Sequence, residues 1–204
     1  KLTSDYVFLK TDLNADIKGL TLDSLIGNAD FRNFQIDYKG KSLSLESISL
    51  NSQHRLNSRR LLLETSLADL EVTGDYYISD LYTDLEMLSQ EIALNLENDD
   101  RKAEYYYRNK TYKPKKYQAT TNLTVKDIKP LGELVGVNLK LSPNVNIEGS
   151  FTSGKTSIFQ GYTKFDSLQL ENSSFVNSEI EVTASKVSDS TNVLAMLSIN
   201  SENQ

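Results

Sequence analysis

The most specific chemical pattern in the sequence is a match to the phosphate-binding loop. Residues 149–156 read GSFTSGKT, which fits G-x-x-x-x-G-K-[ST], a loop whose amides and lysine cradle phosphates while the hydroxyl holds magnesium. That chemistry needs a helix that begins at Lys155 and Thr156, because its N-terminal amides must point at the phosphate. The residues that follow, SIFQGYTKF at 157–165, are mostly β-formers with a glycine. The sequence therefore predicts a hairpin turn here, and not a nucleotide site.

Side chains that serve catalysis or metal binding are otherwise scarce. The chain has no cysteine and one histidine, His54, which sits in the polar stretch SQHR. A disulfide framework, a thiolate metal site and a two-histidine metal site are thereby excluded. Carboxylates such as Glu64 and Asp69 lie among strand residues, and their spacing alone does not pair them for acid–base work. We expect no enzyme, with no catalytic residue, cofactor or metal site.

The basic residues concentrate in one tract, residues 101–117. Seven basic residues against Glu104 give this tract a net charge of +6, which leaves −12 on the rest of a chain whose total is −6. Tyrosines interleave with the lysines, as in surfaces that bind single strands, but the acidic remainder repels a polyanion. We therefore expect no nucleic acid, and favour a solvated connector or edge strand. As a binding tract it fits an acidic headgroup or acidic protein through Arg108, Lys110, Lys113, Lys115 and Lys116.

Period-two alternation dominates the chain and predicts β-strands with one apolar face. The longest run covers residues 137–151, where odd positions are apolar or small and even positions are polar. Pro143 within this run marks an edge, a bend or a break between two collinear strands. The gaps between runs are too short for helical crossovers, so the sheet is predicted to be antiparallel. The residues predicted to line its apolar face are Val137, Leu139, Leu141, Val145, Ile147, Phe151, Leu43 and Leu45.

Two helices are predicted. A long helix occupies residues 79–97 with Ser79 or Asp80 as its cap, and a short helix begins at Pro130 and ends at Gly136. The apolar stripe of the long helix, which fills the core or the groove, consists of Leu81, Leu85, Leu88 and Ile92. The short helix is expected to face the sheet with Leu131, Leu134 and Val135.

The predicted helices are too short to cover the predicted sheet. At 1.5 Å per residue the long helix spans about 25–30 Å. The remaining apolar face must fold onto itself, pack on neighbouring copies or hold an apolar ligand. This deficit is the sequence observation that bears most directly on function.

Several segments resemble the repeating unit of the TamB family, the translocation and assembly module proteins, in the form found in Bacteroidetes-type bacteria. The likeness covers roughly residues 13 to 170 and rests on the order and spacing of the segments. The segments are LDSLIG at 22–27, FRNF at 31–34, YKGK at 38–41, LSL at 43–45, RLLLETSLADLEVTGDY at 60–76, ISDL at 78–81, VKDIKPL at 125–131, LSP at 141–143 and IEGSF at 147–151.

The resemblance implies a long periplasmic protein that is anchored in the inner membrane and reaches an outer-membrane barrel of the Omp85 class. In that family the repeats curl an antiparallel sheet into a taco-like apolar groove. The family is linked to outer-membrane biogenesis, through assembly of barrel proteins and movement of phospholipids. The chain has neither the family's N-terminal membrane helix nor its C-terminus, so it is expected to be an internal segment. The membrane anchor and the barrel contacts would then lie outside it.

The predicted fold class is mainly β: a long curved antiparallel sheet forming a taco-like apolar groove, with one long amphipathic helix and one short helix. We expect a first groove repeat at 1–100, with its helix near 79–97, and a second at 118–204. The basic tract at 101–117 would connect them or form an edge strand.

Two function classes follow from these predictions. The first is a TamB-like segment whose groove shelters or conducts phospholipid or unfolded outer-membrane protein strands. The second is a non-catalytic β-sandwich or solenoid module of a secreted or surface protein that binds glycan or protein. The second would show two sheets closing a dry core, whereas the first requires an open apolar groove. An enzyme is a distant third.

Overall fold

The computed structural model describes residues 8–19, 21, 23–38, 40–56, 58–97, 99–111 and 113–202. Within these residues the chain forms eleven strands and three helices. In chain order they are β1 (Phe8–Lys18), β2 (Ile26–Tyr38), β3 (Lys41–Arg55), β4 (Ser58–Thr65), β5 (Ala68–Gly74), α1 (Ile78–Glu97), α2 (Asp100–Asn109), β6 (Tyr117–Val125), α3 (Lys129–Val135), β7 (Leu139–Leu141), β8 (Val145–Ser153), β9 (Thr156–Leu170), β10 (Ser173–Val187) and β11 (Val193–Asn200).

All the described strands belong to one open antiparallel sheet. Its order is β1-β2-β3-β4-β5-β6-β8-β9-β10-β11, so neighbours in sequence are neighbours in space even where α1 and α2 intervene between β5 and β6. The predicted fold class, a mainly β chain built on a long antiparallel sheet, is confirmed. The described strands do not divide into two sheets, which is the arrangement that a sandwich would require.

Strand β7 is not a separate position in this order, because it pairs with β9 in line with β8. Strand β8 pairs with β9 between Ile158 and Thr163, and β7 pairs with β9 between Leu168 and Leu170. Pro143 lies in the turn between them. Of the three alternatives predicted for Pro143, the structure therefore has the break between two collinear strands.

Alternation puts the apolar side chains of successive strands on one face, which we call the inner face. Phe151 of β8 lies opposite Ala119 of β6 and Phe159 of β9, and Val72 of β5 is on the same face. These residues join Leu88 of α1 in the main core cluster. Helices α1 and α3 both pack on the inner face, where they remove apolar side chains from water.

A left-handed backbone kink places Leu43 and Leu45 on the inner face. Asn33 of β2 has φ of 50°. The register of β2 with β1 shifts at this point, whereas the pairing with β3 omits Asn33 but keeps its register. Across the omitted position the apolar residues of β3 change from odd numbers, Leu43 and Leu45, to an even number, Ile48, yet all three pack in one cluster. Asparagine is among the few residues that tolerate this backbone region.

Helix α3 closes a notch at one end of the sheet. Strands β3 and β9 have 15 residues each, whereas β4, β5, β6 and β8 have 7 to 9. Helix α3 contacts β3 and β7 in the space that this difference leaves. The predicted short helix is confirmed, with Gly136 as its left-handed C-cap at φ of 82°. Leu134 faces the sheet as predicted, where it packs against the cluster of Leu43 and Leu45. Leu131 and Val135 are exposed, and for them the prediction was wrong.

Helix α1 has a remote cap. The sequence suggested Ser79 or Asp80, but the Asp23 carboxylate accepts hydrogen bonds from the Ser79 N–H at 3.0 Å and from the Ser79 hydroxyl. Asp80 lies inside the helix. Burial raises the pKa of Asp23, but the Ser79 hydrogen bonds and nearby Arg59 outweigh it, so the pKa of Asp23 is lowered.

Helix α2 occupies most of the tract that was expected to be a connector or an edge strand. Asp99 caps it by accepting hydrogen bonds from the N–H groups of Arg101 and Lys102. Asp100 in the first turn and Arg108 in the last turn complement the helix dipole. These end signals favour a helix over a strand, and of the described residues only 110, 111 and 113–116 remain between α2 and β6.

The sheet is continuous across the boundary drawn between the two predicted repeats, because β5 pairs with β6 from Ala68 to Gly74. The division into repeats at 1–100 and 118–204 stays a prediction.

Candidate functional site

The residues predicted to line the groove lie in the predicted strands and turns, and most of them are close to α1 or α3. Leu43, Leu45, Val145 and Phe151 are buried. Val137, Leu139, Leu141 and Ile147 are half-buried, the first three next to α3. Whether any of these eight meets a cargo stays a prediction. The structure shows that α1 and α3 already cover much of the surface they form.

The predicted stripe of α1 packs on the sheet. Leu88 is buried, and Leu81, Leu85 and Ile92 are half-buried against the main core cluster. Their partners come from strands β4 to β11, so α1 reaches across most of the sheet. Ten strands side by side make the sheet about 43 Å wide, whereas the 20-residue helix is about 30 Å long. The β1 side of the inner face therefore remains uncovered by α1, whose C-terminal half reaches β11.

A second stripe on α1 is acidic and buried. Asp80, Asp84 and Glu91 are spaced by four and seven residues, which puts them on one side of the helix. Asp84 accepts hydrogen bonds from the Tyr117 hydroxyl at 2.8 Å and the Ser153 hydroxyl at 2.7 Å. These bonds tie α1 to the ends of β6 and β8.

Glu91 is the centre of a buried ionic cluster. Its side chain is 1% exposed, and its carboxylate lies 2.6 Å from Lys110 Nζ and 3.6 Å from Lys186 Nζ. The Tyr106 hydroxyl donates a third contact at 3.3 Å. Lys186 also lies 4.9 Å from the centroid of the Tyr107 ring. The cluster joins α1, α2, the connector and β10 at one point.

Burial and the Glu91 charge determine the protonation of this cluster. Burial lowers the pKa of Lys186, although Glu91 opposes the shift. Burial and the Glu91 charge raise the pKa of Tyr106, and raise that of Tyr107 to about 12. The tyrosines are therefore neutral near pH 7 and act as hydrogen-bond donors and ring surfaces, not as bases.

Two lysines of the predicted anionic-partner tract bind carboxylates of the same chain. Lys110 binds Glu91, and Lys115 Nζ lies 2.9 Å from both carboxylate oxygens of Asp80. Arg108, Lys113 and Lys116 are exposed. Through these two ion pairs the tract neutralises part of the acidic stripe of α1. Binding of an outside anion by the exposed residues of the tract stays a prediction.

An apolar cavity of about 610 Å³ lies between the C-terminal half of α1 and strands β9, β10 and β11. The volume is within the range of pockets that hold small molecules. Leu85, Leu88 and Ile92 were predicted for this helix face. The lining residues are Leu85, Leu88, Ser89, Ile92, Leu96, Phe159, Val182, Ala184, Ala195, Met196 and Leu197.

The strand side of this cavity was missed from the sequence. None of the eight predicted groove residues lines it, and its strand residues all come from β9 to β11. Val193, Ala195, Leu197 and Ile199 alternate with period two, so the signal for an apolar face was present. The alternation does not show where α1 packs, so it could not predict that this face borders a cavity.

The residues that could have done chemistry lie apart from the cavity. Gly149 to Ser153 belong to β8, Gly154 has φ of 154° in a turn, and Thr156 begins β9. The hairpin turn predicted for the phosphate-loop pattern is confirmed. His54 is exposed on β3. Within the described ranges, no three His, Cys, Asp or Glu side chains are grouped to hold a metal ion.

The helices of the described part are too short or too polar to span a bilayer.

No family model matches the chain, and neither a curated protein nor a solved structure matches it. The resemblance to the TamB family therefore rests on the sequence segments quoted above and stays a prediction.

Proposed function

We propose that the chain is a periplasmic segment of a TamB-like, envelope-spanning protein and that its inner face shelters apolar cargo during outer-membrane biogenesis. The inner-membrane anchor and the contact with an Omp85-class barrel would be made by parts outside this chain. The observation that carries the proposal is the 610 Å³ apolar cavity, which opens beside uncovered apolar strand residues.

The chemistry of the cavity favours a phospholipid acyl chain over an unfolded protein strand. Among the described residues that line it, Ser89 alone has a polar side chain. A peptide backbone placed there would bury amide groups without partners, at a cost of about 1–3 kcal/mol each. An acyl chain has no such groups, and each buried methylene contributes about 0.8 kcal/mol. Binding of this kind needs neither a catalytic residue nor a cofactor.

Exposed apolar side chains continue the cavity surface at the β11 side of the inner face, where Leu197 and Ile199 are exposed. An apolar chain that leaves the cavity at this side would meet these side chains before it meets bulk water. Leu9, Leu13 and Ile17 are exposed at the opposite edge of the sheet, on β1. The continuity beside β11 supports the shelter of an apolar chain that extends beyond the cavity.

The experiment is to fill the cavity and measure lipid binding. Ala195→Trp places a large side chain in the cavity, whereas Leu194→Trp places the same side chain on the opposite face of the same strand. We expect wild-type protein and Leu194→Trp to bind a fluorescent fatty acid and to carry phospholipid detectable by mass spectrometry. Ala195→Trp should weaken fatty-acid binding at least about tenfold, which corresponds to about 1.4 kcal/mol. Equal binding by both variants, or no binding by the wild type, would contradict the proposal.

A further inference from the structure

The turn between β3 and β4 exposes a leucine in a strained backbone conformation. Arg55 pairs with Ser58, so two residues connect the strands, and the first of them, Leu56, has φ of 51°. Turns of this length need a left-handed residue at that position, and asparagine, aspartate or glycine usually supplies it. A leucine there strains the backbone, because its Cβ crowds the following carbonyl oxygen.

The Leu56 side chain does not repay this strain within the described part of the chain. It is 97% exposed, so it buries almost none of its apolar surface. Strained residues are concentrated at functional sites, where the strain serves a contact and not the stability of the fold. The combination of strain and exposure therefore points to a contact of Leu56 with something outside the chain.

An aromatic ring and two cations lie beside this turn. The Arg59 guanidinium, three residues after Leu56, lies 5.9 Å from the centroid of the Tyr77 ring, and Lys115 Nζ lies 5.8 Å from the same centroid. Tyr77 is 52% exposed. These contacts bring together the β3–β4 turn, the residue before α1 and the segment before β6. We call this surface the turn patch: Arg55, Leu56, Tyr77, Lys113, Lys115 and Lys116.

Three cations of the turn patch have no carboxylate partner among the described residues. Arg55, Lys113 and Lys116 are all exposed, and none of them forms an ion pair there. They are therefore available to an anion outside the chain.

The carboxylates near the turn patch are engaged by the fold. Asp23 accepts hydrogen bonds from Ser79, Asp80 binds Lys115, and Asp75 accepts a hydrogen bond from a backbone N–H of β6. These three acids against five basic residues, Arg59 included, leave a local charge of 5 − 3 = +2 on a chain whose total charge is −6. The turn patch thus attracts anions although the chain as a whole repels them.

We propose that the turn patch docks the chain on the surface of a bilayer that contains anionic phospholipid. Leu56 enters the acyl region, where its apolar side chain leaves water. Tyr77 lies at headgroup level, where a ring with one apolar and one polar end is favoured. Arg55, Lys113 and Lys116 meet the negative surface charge.

Two features favour a bilayer over a protein as the occupant. A protruding side chain such as Leu56 enters a fluid bilayer without a matching cavity, whereas an acidic protein would have to provide one. Further strands of a longer protein would pair with the sheet edges at β1 or β11, but the β3–β4 turn joins two interior strands.

The docking does not depend on cargo in the apolar cavity. The cavity lies beside β9, β10 and β11, whereas the turn patch lies at the ends of β3 and β4. Cavity binding requires one apolar chain, and docking requires an intact surface with negative charge. The two proposals can therefore fail separately.

Co-sedimentation with vesicles tests the docking. We expect the wild type to sediment with vesicles of equal parts phosphatidylglycerol and phosphatidylcholine and to stay in solution with phosphatidylcholine alone. Added salt should weaken the binding, because it screens the surface charges. Soluble glycerol phosphate should not compete at concentrations similar to that of the lipid, since it offers no surface for Leu56. Competition at those concentrations would indicate a headgroup pocket and overturn the docking.

Leu56→Asn separates docking from a structural role of this residue. Asparagine tolerates the left-handed conformation and removes the apolar side chain. We expect vesicle binding at least about tenfold weaker, with a melting temperature equal to or above that of the wild type. The matched control is Val135→Asn, an exposed apolar position on α3, which packs near the start of β3 and not near its end. This control should bind vesicles like the wild type.

A charge variant completes the test. Lys116→Glu should weaken vesicle binding, whereas Lys140→Glu, at an exposed position on β7, should not. Wild type that ignores anionic vesicles, equal binding to neutral vesicles, or full binding by Leu56→Asn would overturn the proposal. Ala195→Trp should dock like the wild type even where it loses fatty-acid binding, so the result for the cavity does not decide the result for the turn patch.

Discussion

At the residue scale, the buried charges of α1 are the least expected feature of the protein. Acidic side chains are seldom fully buried unless they are paired, and Asp80, Asp84 and Glu91 all have partners. From the sequence, residues 101–117 with their net charge of +6 were interpreted as a solvated connector or edge strand, with an external anionic ligand as the alternative. Lys110 and Lys115 instead neutralise carboxylates of the same chain.

Replacement of Glu91 tests the energetic weight of the ionic cluster. Glu91→Gln leaves Lys110 and Lys186 close together without the buried charge that compensates them, and Lys186 is only 5% exposed. We expect the free energy of unfolding in urea to fall by about 3 kcal/mol.

The control for this prediction is Glu97→Gln on the same helix. Glu97 pairs with Lys102 at the surface, where an ion pair contributes less than about 1 kcal/mol. Similar losses for the two variants would show that the buried cluster adds nothing special to stability.

At the element scale, α1 is fixed to the sheet at three points along its length. Asp23 holds its first turn, Asp84 binds the hydroxyls of Tyr117 and Ser153, and Glu91 holds the second half. The sequence left open whether this helix fills the core or plugs the groove. These polar contacts, together with buried Leu88, favour a permanent part of the core. The cavity beside its C-terminal half is the place where cargo would enter without displacing it.

Removal of the remote cap tests the first of these points. Asp23→Ala deprives the Ser79 N–H and hydroxyl of their acceptor and should lower the free energy of unfolding by about 1 kcal/mol. Asp23→Asn keeps an acceptor oxygen and loses the charge that complements the helix dipole, so it should cost less. Chemical denaturation measures both. If the alanine variant is as stable as the wild type, the cap has no energetic role.

At the scale of the whole molecule, the sheet is wider than its helices can cover. α1 and α3 protect the middle and one end of the inner face, and the cavity and both edges stay accessible. The polar outer face has no helix packed on it among the described elements. The apolar surface and the helices therefore lie on one face of the sheet, an arrangement that suits the shelter of apolar cargo proposed above.

Global stability should fall at alkaline pH. Burial raises the pKa values of Tyr76 and Tyr107 to about 12, and raises that of Tyr106, from an ordinary value of 10. Above pH 10 the folded state therefore holds more protons than the unfolded state. The stability contributed by the tyrosines is complete below pH 10 and is lost as the pH rises toward 12. The pKa of Lys186 is lowered, so this residue makes stability rise as the pH approaches 10.5. We expect the three tyrosines to outweigh this single lysine.

Urea unfolding as a function of pH measures this effect. Tyr76→Phe should reduce the loss of stability above pH 10 by an amount on the order of 2 kcal/mol, because the buried phenol no longer ionises. Tyr105→Phe is the control, since Tyr105 is exposed. A wild-type stability that is flat or rises above pH 10 would contradict the prediction.

The sequence by itself predicted most of the local structure and the antiparallel pairing of the sheet, but it did not predict α2. Alternation predicted strands because side chains on a strand point to opposite faces, and the short connections predicted that the sheet is antiparallel. The spacing of Leu81, Leu85, Leu88 and Ile92 predicted α1, and Pro130 and Gly136 predicted α3. These signals lie within one element, so they can be read without knowledge of the rest.

Tertiary structure alone decided which faces stay open. Residues 193–200 show an apolar face in sequence, but only the end of α1 near Leu96 makes part of that face a cavity. Asp23 caps a helix that begins 55 residues later, and Lys186 meets Glu91 across 95 residues of chain. No local pattern encodes such pairings, because burial and charge neutralisation depend on elements that are distant in sequence and adjacent only in the folded sheet.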